Sequence, residues 1–397
     1  MSCGLSQLIR GRGGSATKNN NEHKSRGHPL ATGALSNTVK LLWDNGGIDG
    51  RFIFRALNIL LSNLLLAPFR MVEISKWADR VEKTQIREPP IFIIGTWRSG
   101  TTYLHNLMIQ DGHLGFVSTL QAFCPDLCIE SSKILVPIFR RLLPIKRPMD
   151  NMSMALEYPQ EEEYAVGNLS PYSFYHGYFL PRKMSSLFDT LSFEECNDGI
   201  KNAWKHAYLT VLKKATLIMK GKRMVLKNPL NTSRIHVLLE MFPDAKFIFL
   251  YRNPYVIYPS LLNTFSRLIG AYQLESISTP RIEEYVFSFY EKMMRTYWST
   301  RESIPPGHLA EVRFEEFEND PLAGVERIYK ELRLPGFGNA KDKIEKYIVS
   351  QDGYEKNHYA VSRETVERIS RRWQFAIEKL GYSPPEEICE IEKEGSS

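Results

Sequence analysis

The stretch Gly95-Thr96-Trp97-Arg98-Ser99-Gly100-Thr101-Thr102 holds the residue types that an anion site requires. Gly95 and Gly100 let the backbone turn tightly, and the N–H groups after Gly100 then face one point. The spacing is that of a phosphate loop, Gly, four residues, Gly, Lys, Ser or Thr, except that Thr101 stands where the Lys belongs. In nucleotide triphosphatases that Lys neutralises the β- and γ-phosphates. Here the nearest cation is Arg98, inside the loop, which points to a different group beyond a 5′-phosphate. A second anion site is expected at Arg252, which ends the apolar run Phe247 to Tyr251 and is followed eight residues on by Ser260. A magnesium-using kinase would offer Asp at such a strand end, whereas Arg suits direct phosphate binding without metal. Lys227, in Leu226-Lys227-Asn228-Pro229, is a further cation at a strand end.

Group transfer to a hydroxyl also needs a base. Pro159-Gln160-Glu161-Glu162-Glu163 is the best acidic cluster. Three adjacent carboxylates repel, which raises at least one pKa toward the working range. The same acids after a Pro would also suit a helix start. We assign the base to Glu162, with His176 as second choice. Tyr172 to Phe179 is dense in aromatics and reads either as the lining of an acceptor pocket or as core.

These residues need strands and helices to hold them. Ile91 to Ile94 predicts a short, fully buried strand leading into the glycine loop, with a helix carrying Leu104, Leu107 and Met108 behind it. Met224 to Leu226 predicts a second strand, then a helix near Thr232 to Met241 capped by Asn231 or Ser233, then a strand from Lys246 to Tyr251. A strand–helix–strand unit of this kind implies a parallel sheet. Helices are expected from 255 to 302 with a break at Pro280, a strand at Leu309 to Arg313, and a last helix from Ser362 to Gly381. Residues 52 to 80 predict apolar helices interrupted at Pro68. The expected class is α/β, a P-loop-type central parallel sheet flanked by helices, with a helical and aromatic lid.

Arg98-Ser99-Gly100-Thr101-Thr102 resembles the 5′-phosphosulfate loop of sulfotransferases that use 3′-phosphoadenosine 5′-phosphosulfate (PAPS), in the bacterial form with Arg rather than the cytosolic form with Lys. Arg252-Asn253-Pro254 followed by Ser260 is similar to the family's 3′-phosphate motif, although Val256 stands where cytosolic members carry Asp. Gly353-Tyr354-Glu355-Lys356-Asn357 is similar to a C-terminal nucleotide segment of the family, and Arg313 to Phe317 to its later strand and helix entry. The resemblance spans about residues 88 to 382. It implies that Arg98, Ser99, Gly100, Thr101 and Thr102 hold the phosphosulfate, Arg252 and Ser260 the 3′-phosphate, and Lys356 the closing segment. Tyr103 matches an adenine-stacking aromatic and equally suits a core position. Arg98 and Lys227 would meet charge developing on the sulfuryl group. Two departures concern the base. Pro229 occupies the place of the cytosolic His, and Ser118 to Gln121 the place of the Glu in tyrosyl-protein sulfotransferases. The Pro159 to Glu163 run resembles one in bacterial relatives. The implied reaction is sulfuryl transfer from PAPS, without a metal, to a hydroxyl of a small molecule, lipid, sterol or glycan. A P-loop kinase and a non-catalytic nucleotide-binding protein are the alternatives.

Composition sets the remaining expectations. A net charge of +6 without a dense basic run suits an anionic ligand and not nucleic acid. Five scattered cysteines argue for a reducing compartment and a cytoplasmic location. Residues 1–38, rich in Gly, Ser, Asn, Lys and Arg, are expected as a disordered basic tail ahead of a single domain over 39–397. No apolar secretory segment follows the basic start. The apolar stretch within 52–72 reads either as a buried helix or as a helix touching a membrane peripherally.

Overall fold

A computed structural model describes residues 27–142, 154–351 and 361–385. Five strands form one parallel sheet: β1 (Ile91–Ile94), β2 (Leu114–Gly115), β3 (Arg223–Lys227), β4 (Lys246–Tyr251) and β5 (Leu309–Arg313). Their spatial order is β2-β3-β1-β4-β5. β1 lies at the centre and is buried along its whole length, as an apolar run covered on both faces must be. β5 lies at the edge and alternates buried with half-buried residues. The short β2 was not expected. Two residues carry no periodicity for sequence reading to detect.

The register decides where the loops meet. β1 pairs with β4 so that Ile94 faces Phe249, and with β3 so that Ile93 faces Lys227. β4 pairs with β5 so that Tyr251 faces Arg313. The residues leaving β1, β3 and β4 therefore emerge at one level of the sheet, at the carboxyl ends where parallel sheets bind ligands. Large apolar clusters cover both faces: Phe92, Phe247 and Phe249 on one side, Ile91, Ile93, Ile248 and Leu250 on the other.

Four expectations change. Residues 27–38 do not belong to a tail. Pro29–Thr32 forms a 3-10 turn with Leu30 buried, and Leu35–Asp44 forms a helix. Few large apolar side chains lie in this stretch, but tertiary contacts hold it: Asn63 and Arg70 donate to the Leu30 and Thr32 carbonyls. Pro68 does not interrupt its helix, which runs unbroken from Ile53 to Glu82. The ring lies on the exposed side, where water can serve the Leu64 carbonyl that loses its partner. The helix after β3 is Ile235–Met241, preceded by a 3-10 turn Pro229–Ser233, and neither Asn231 nor Ser233 caps it. Pro280 starts the helix Thr279–Thr300 and does not break a longer one; the preceding helix ends at Tyr272. The last helix, Arg363–Leu380, has Ser362 as its N-cap and left-handed Gly381 as its C-cap, as expected. Cys124 and Cys128 are buried structural thiols, and burial pushes the Cys128 thiol up to about 12.

Gly100 has φ +95°, and a Cβ there would drive into the Phe314 ring. Gly100→Ala is expected to lower unfolding free energy by about 1–3 kcal/mol in denaturant titration. Gly270, in a helix with open space around it, is the control: Gly270→Ala is expected to raise stability by about 0.5–1 kcal/mol.

Candidate active site

The loop after β1 is shaped by close approach. Gly95 has φ +135°, and a Cβ on it would collide with the Leu250 carbonyl oxygen of β4. Arg98 takes a left-handed φ of +73°, unusual for a side-chain-bearing residue and a mark of a constrained site. The Thr232 hydroxyl accepts from the Gly95 N–H at 2.7 Å and donates to the Gly95 carbonyl at 3.1 Å. The Ser99 hydroxyl donates back to the Thr96 carbonyl at 2.7 Å. The helix Thr101–Met108 begins directly after Gly100, so its first N–H groups and the positive end of its dipole face the loop. Glycines that tolerate no Cβ, buried hydroxyls and a helix start together fit a bound phosphate or sulfate.

The two cradles foreseen in the sequence meet. Arg98 Nε donates to Ser260 Oγ at 2.9 Å. Arg252 Nη1 donates to the Arg98 carbonyl at 3.3 Å, with its guanidinium 4.3 Å above the Phe314 ring. Parallel pairing of β1 with β4 produces this juxtaposition, because Arg252 follows β4 as the glycine loop follows β1. Tyr103 is half-buried and packs edge-on against Phe317, at a ring separation of 5.8 Å. Lys356 lies outside the described residues.

The three glutamates separate by direction. Glu161 pairs with Lys227 at the end of β3, accepts from the Tyr175 hydroxyl, and receives Trp97 Nε1 at 3.4 Å. Burial and the Glu161 charge hold the Tyr175 hydroxyl protonated, well above the usual phenol range. Glu162 turns the other way, accepting from the Tyr208 hydroxyl at 2.8 Å and from Asn231 Nδ2 at 2.9 Å. Glu163 forms a fully buried pair with Arg234 at 2.6 Å and also accepts from Ser173 and Asn228. Arg98, Thr101, Thr102, Glu161 and Tyr175 line one small pocket of about 30 Å³. Glu162, our expected base, is not among its walls, whereas its neighbour Glu161 is. His176 is also withdrawn from the pocket: its two ring nitrogens face the Pro171 and Gly167 carbonyls, and burial lowers its pKa. Sequence spacing could not choose among adjacent residues on a turn. The signal that would have chosen is the pairing of Glu161 with Lys227.

A larger apolar cavity of about 310 Å³ adjoins this pocket, with Tyr164 and Leu268 in both walls. Leu66, Phe123, Leu135, Phe139 and Leu156 line it. Phe174, Tyr175 and Tyr178 are themselves buried in the core, so the aromatic segment supports the site from behind, and Tyr175 and Tyr178 reach the small pocket.

Burial pushes the Glu162 carboxyl up to about 7 from 4.5, ahead of the charge of Glu163. Burial, more than repulsion between neighbours, is thus the main cause. An acid whose pKa rises on folding binds its proton more tightly in the native state. The stability this confers is complete below pH 4.5 and is lost as pH climbs through about 7. Unfolding titrations across that window are expected to show a falling stability that Glu162→Gln flattens.

The chain matches the model of the sulfotransferase family over residues 89–338. It is 30% identical over 306 residues to omega-hydroxy-beta-dihydromenaquinone-9 sulfotransferase Stf3 of Mycobacterium bovis, covering 76% of this chain and 78% of that one, and equally to Stf3 of Mycobacterium tuberculosis. Among solved structures, sulfotransferase STF1 of Mycobacterium tuberculosis superposes with a TM-score of 0.62 at 16% identity, over 88% of this chain and 93% of that one. STF9 of Mycobacterium avium gives 0.61 at 17%, over 89% and 98%. These two share the fold. The family match runs from the strand before the glycine loop to beyond β5 and takes in both anion cradles, and this chain is a member of the sulfotransferase family.

Proposed function

We propose that the enzyme takes its sulfuryl group from PAPS and passes it to a hydroxyl on a lipid. The observation that carries the donor assignment is the contact of the two cradles, Arg98 on Ser260 and Arg252 on the Arg98 carbonyl. A molecule with a phosphosulfate at one end of an adenosine and a phosphate on its ribose needs two such sites side by side. Arg98, Ser99, Gly100, Thr101 and Thr102 would hold the 5′-phosphosulfate. Arg252 and Ser260 would hold the 3′-phosphate, the Arg by charge-assisted hydrogen bonds.

Glu161 and Arg98 of the pocket, with Lys227 paired to Glu161, divide the chemistry. Glu161 takes the proton from the acceptor hydroxyl as that oxygen bonds to sulfur. The bond from sulfur to the bridging oxygen of the 5′-phosphate breaks at the same centre. Lys227 and Arg98 meet the negative charge that gathers on the bridging oxygen and the sulfuryl oxygens. Trp97 and Tyr175 hold the Glu161 carboxylate in place. The bonded pair of Glu161 and Lys227 keeps base and electrophilic stabiliser close together.

The apolar cavity beside the pocket supports a lipid acceptor over a sugar. Its walls are mainly hydrocarbon, and burying each methylene contributes about 0.8 kcal/mol. The relative Stf3 is named for a menaquinone derivative, which agrees with this class of acceptor. The scattered cysteines support a reducing compartment such as the cytoplasm.

Two measurements test this reading. The enzyme is incubated with PAPS or ATP and with a short primary alcohol, a long-chain primary alcohol or a sugar, with and without EDTA. Product that resists EDTA and favours the long chain is expected; transfer from ATP, or a preference for sugars, would contradict it. In the second, Glu161→Gln is expected to lower kcat about 10²- to 10³-fold with little change in PAPS affinity. Glu162→Gln should keep near-normal turnover. The reverse ranking would return the base to Glu162.

A further inference from the structure

The helix Ile53–Glu82 has a mixed inward side that the fold buries and an apolar outward side that it does not. Ala56, Ile59, Asn63, Arg70 and Glu73 turn inward. Arg70 donates to the Thr32 carbonyl at 2.8 Å, and Glu73 accepts from the N–H groups of Ile129, Glu130 and Ser131. These contacts fix the helix along the body of the protein. It is long and apolar enough to cross a membrane, but in this fold one side packs along the body of the protein.

The opposite side carries Phe54, Leu57, Leu61, Leu64, Leu65 and Met71, each 53% to 77% exposed. Their spacing of three and four places them on one stripe. The charged residues between Phe54 and Val72 are Arg55 and Arg70. Arg70 is buried, and Arg55 donates to the Gln273 carbonyl. The stripe is therefore without charge over about 27 Å of helix. Soluble monomers rarely show so long an apolar strip to water. Arg51 precedes it, and Lys76 and Arg80 follow.

A second helix extends this surface. Ser132–Leu142 exposes Ile134, Ile138 and Leu142, four residues apart, with Lys133, Arg140 and Arg141 between and beside them. Leu65, Ile138 and Leu142 belong both to this exposed surface and to the wall of the apolar cavity. The two stripes thus converge at the cavity mouth.

We propose that this face docks on a lipid bilayer, by preference one with anionic headgroups, and that the acceptor passes from the bilayer through the mouth directly into the cavity. The proposal rests on the lipid-acceptor reading above. Continuity with the cavity favours a bilayer over a second copy of the chain, because a copy seated on Leu65 and Ile138 would close the acceptor's entrance. Of the flanking cations, Lys76 and Lys133 pair with Glu130 and Arg140 pairs with Glu157, which leaves Arg51 and Arg141 to suit headgroup phosphates.

The test uses the full chain and vesicles of phosphatidylcholine, alone or mixed with phosphatidylglycerol, without PAPS or acceptor. The protein should float with both, and at least tenfold more with the anionic vesicles. A triple variant, Leu57→Glu, Leu61→Glu and Leu64→Glu, alters only exposed residues that line neither pocket. It should lose vesicle binding at least tenfold, keep its circular dichroism and its transfer from PAPS to a short soluble alcohol, and slow on an acceptor embedded in vesicles. The single Leu61→Glu change, expected to act in the same direction, repeats the test if the triple variant unfolds. A wild type that stays in solution with both vesicles would overturn the proposal. So would variants that float like the wild type, or a wild-type dimer in sedimentation that the variants render monomeric. Failure of PAPS transfer by the wild type to any alcohol, short or long, would instead strike the donor reading and leave the vesicle result standing.

Discussion

The site depends on β1 and β4 lying in contact, in one register. That pairing brings the loop after β1 against the Leu250 carbonyl so closely that residue 95 can carry no side chain. The same pairing sets Arg252 under the Arg98 carbonyl and Ser260 against the Arg98 guanidinium. Every later feature follows from it. The loop wraps tightly because it is pressed, and Thr232 clamps its first residue from the far side of β1. Two like charges, Arg98 and Arg252, are held near each other, and the Glu318 and Glu315 charges offset the repulsion at Arg252.

The acidic run shows how a fold distributes charge that a sequence lists in a row. Glu161, Glu162 and Glu163 all point at the segment from Lys227 to Arg234, but each finds a different partner there: Lys227, Asn231, and the pair Asn228 and Arg234. Arg234 and Glu163 are completely buried, and removing either partner from such a pair costs about 3–5 kcal/mol. This pair ties the glutamate turn to the end of β3 and thereby sets the direction in which Glu161 faces. Stability and chemistry share one short stretch of chain.

Much of this was legible in the residues. The strands Ile91–Ile94, Lys246–Tyr251 and Leu309–Arg313 follow from short apolar runs between turn signals, and the glycine loop and Arg252 announce themselves by type and place. The choice among three consecutive glutamates was not legible, because the partners that tell them apart at the end of β3 lie 65 to 71 residues away in the chain. Nor was the Thr232 clamp, which joins residues 137 apart. Pro68 misled because the cost of a helical Pro depends on whether the carbonyl left without its donor faces water, which the sequence does not state. Residues 27–38 misled because their order comes from contacts with the long helix and not from their own apolar content. The apolar stretch near residue 60 permitted both a buried and a membrane-facing helix, and the structure gives it a buried side and an exposed side at once.

The central claim is that both cradles grip one adenosine. It is tested most directly by calorimetric titration of the wild type and of Arg252→Ala with adenosine 3′,5′-bisphosphate and with adenosine 5′-monophosphate. A charge-assisted contact to the 3′-phosphate contributes about 1.5–3 kcal/mol, so the wild type should favour the bisphosphate by roughly 10- to 150-fold. Arg252→Ala should bind the two nucleotides alike. A variant that keeps the full preference, or a wild type that has none, would place the 3′-phosphate elsewhere and contradict the account.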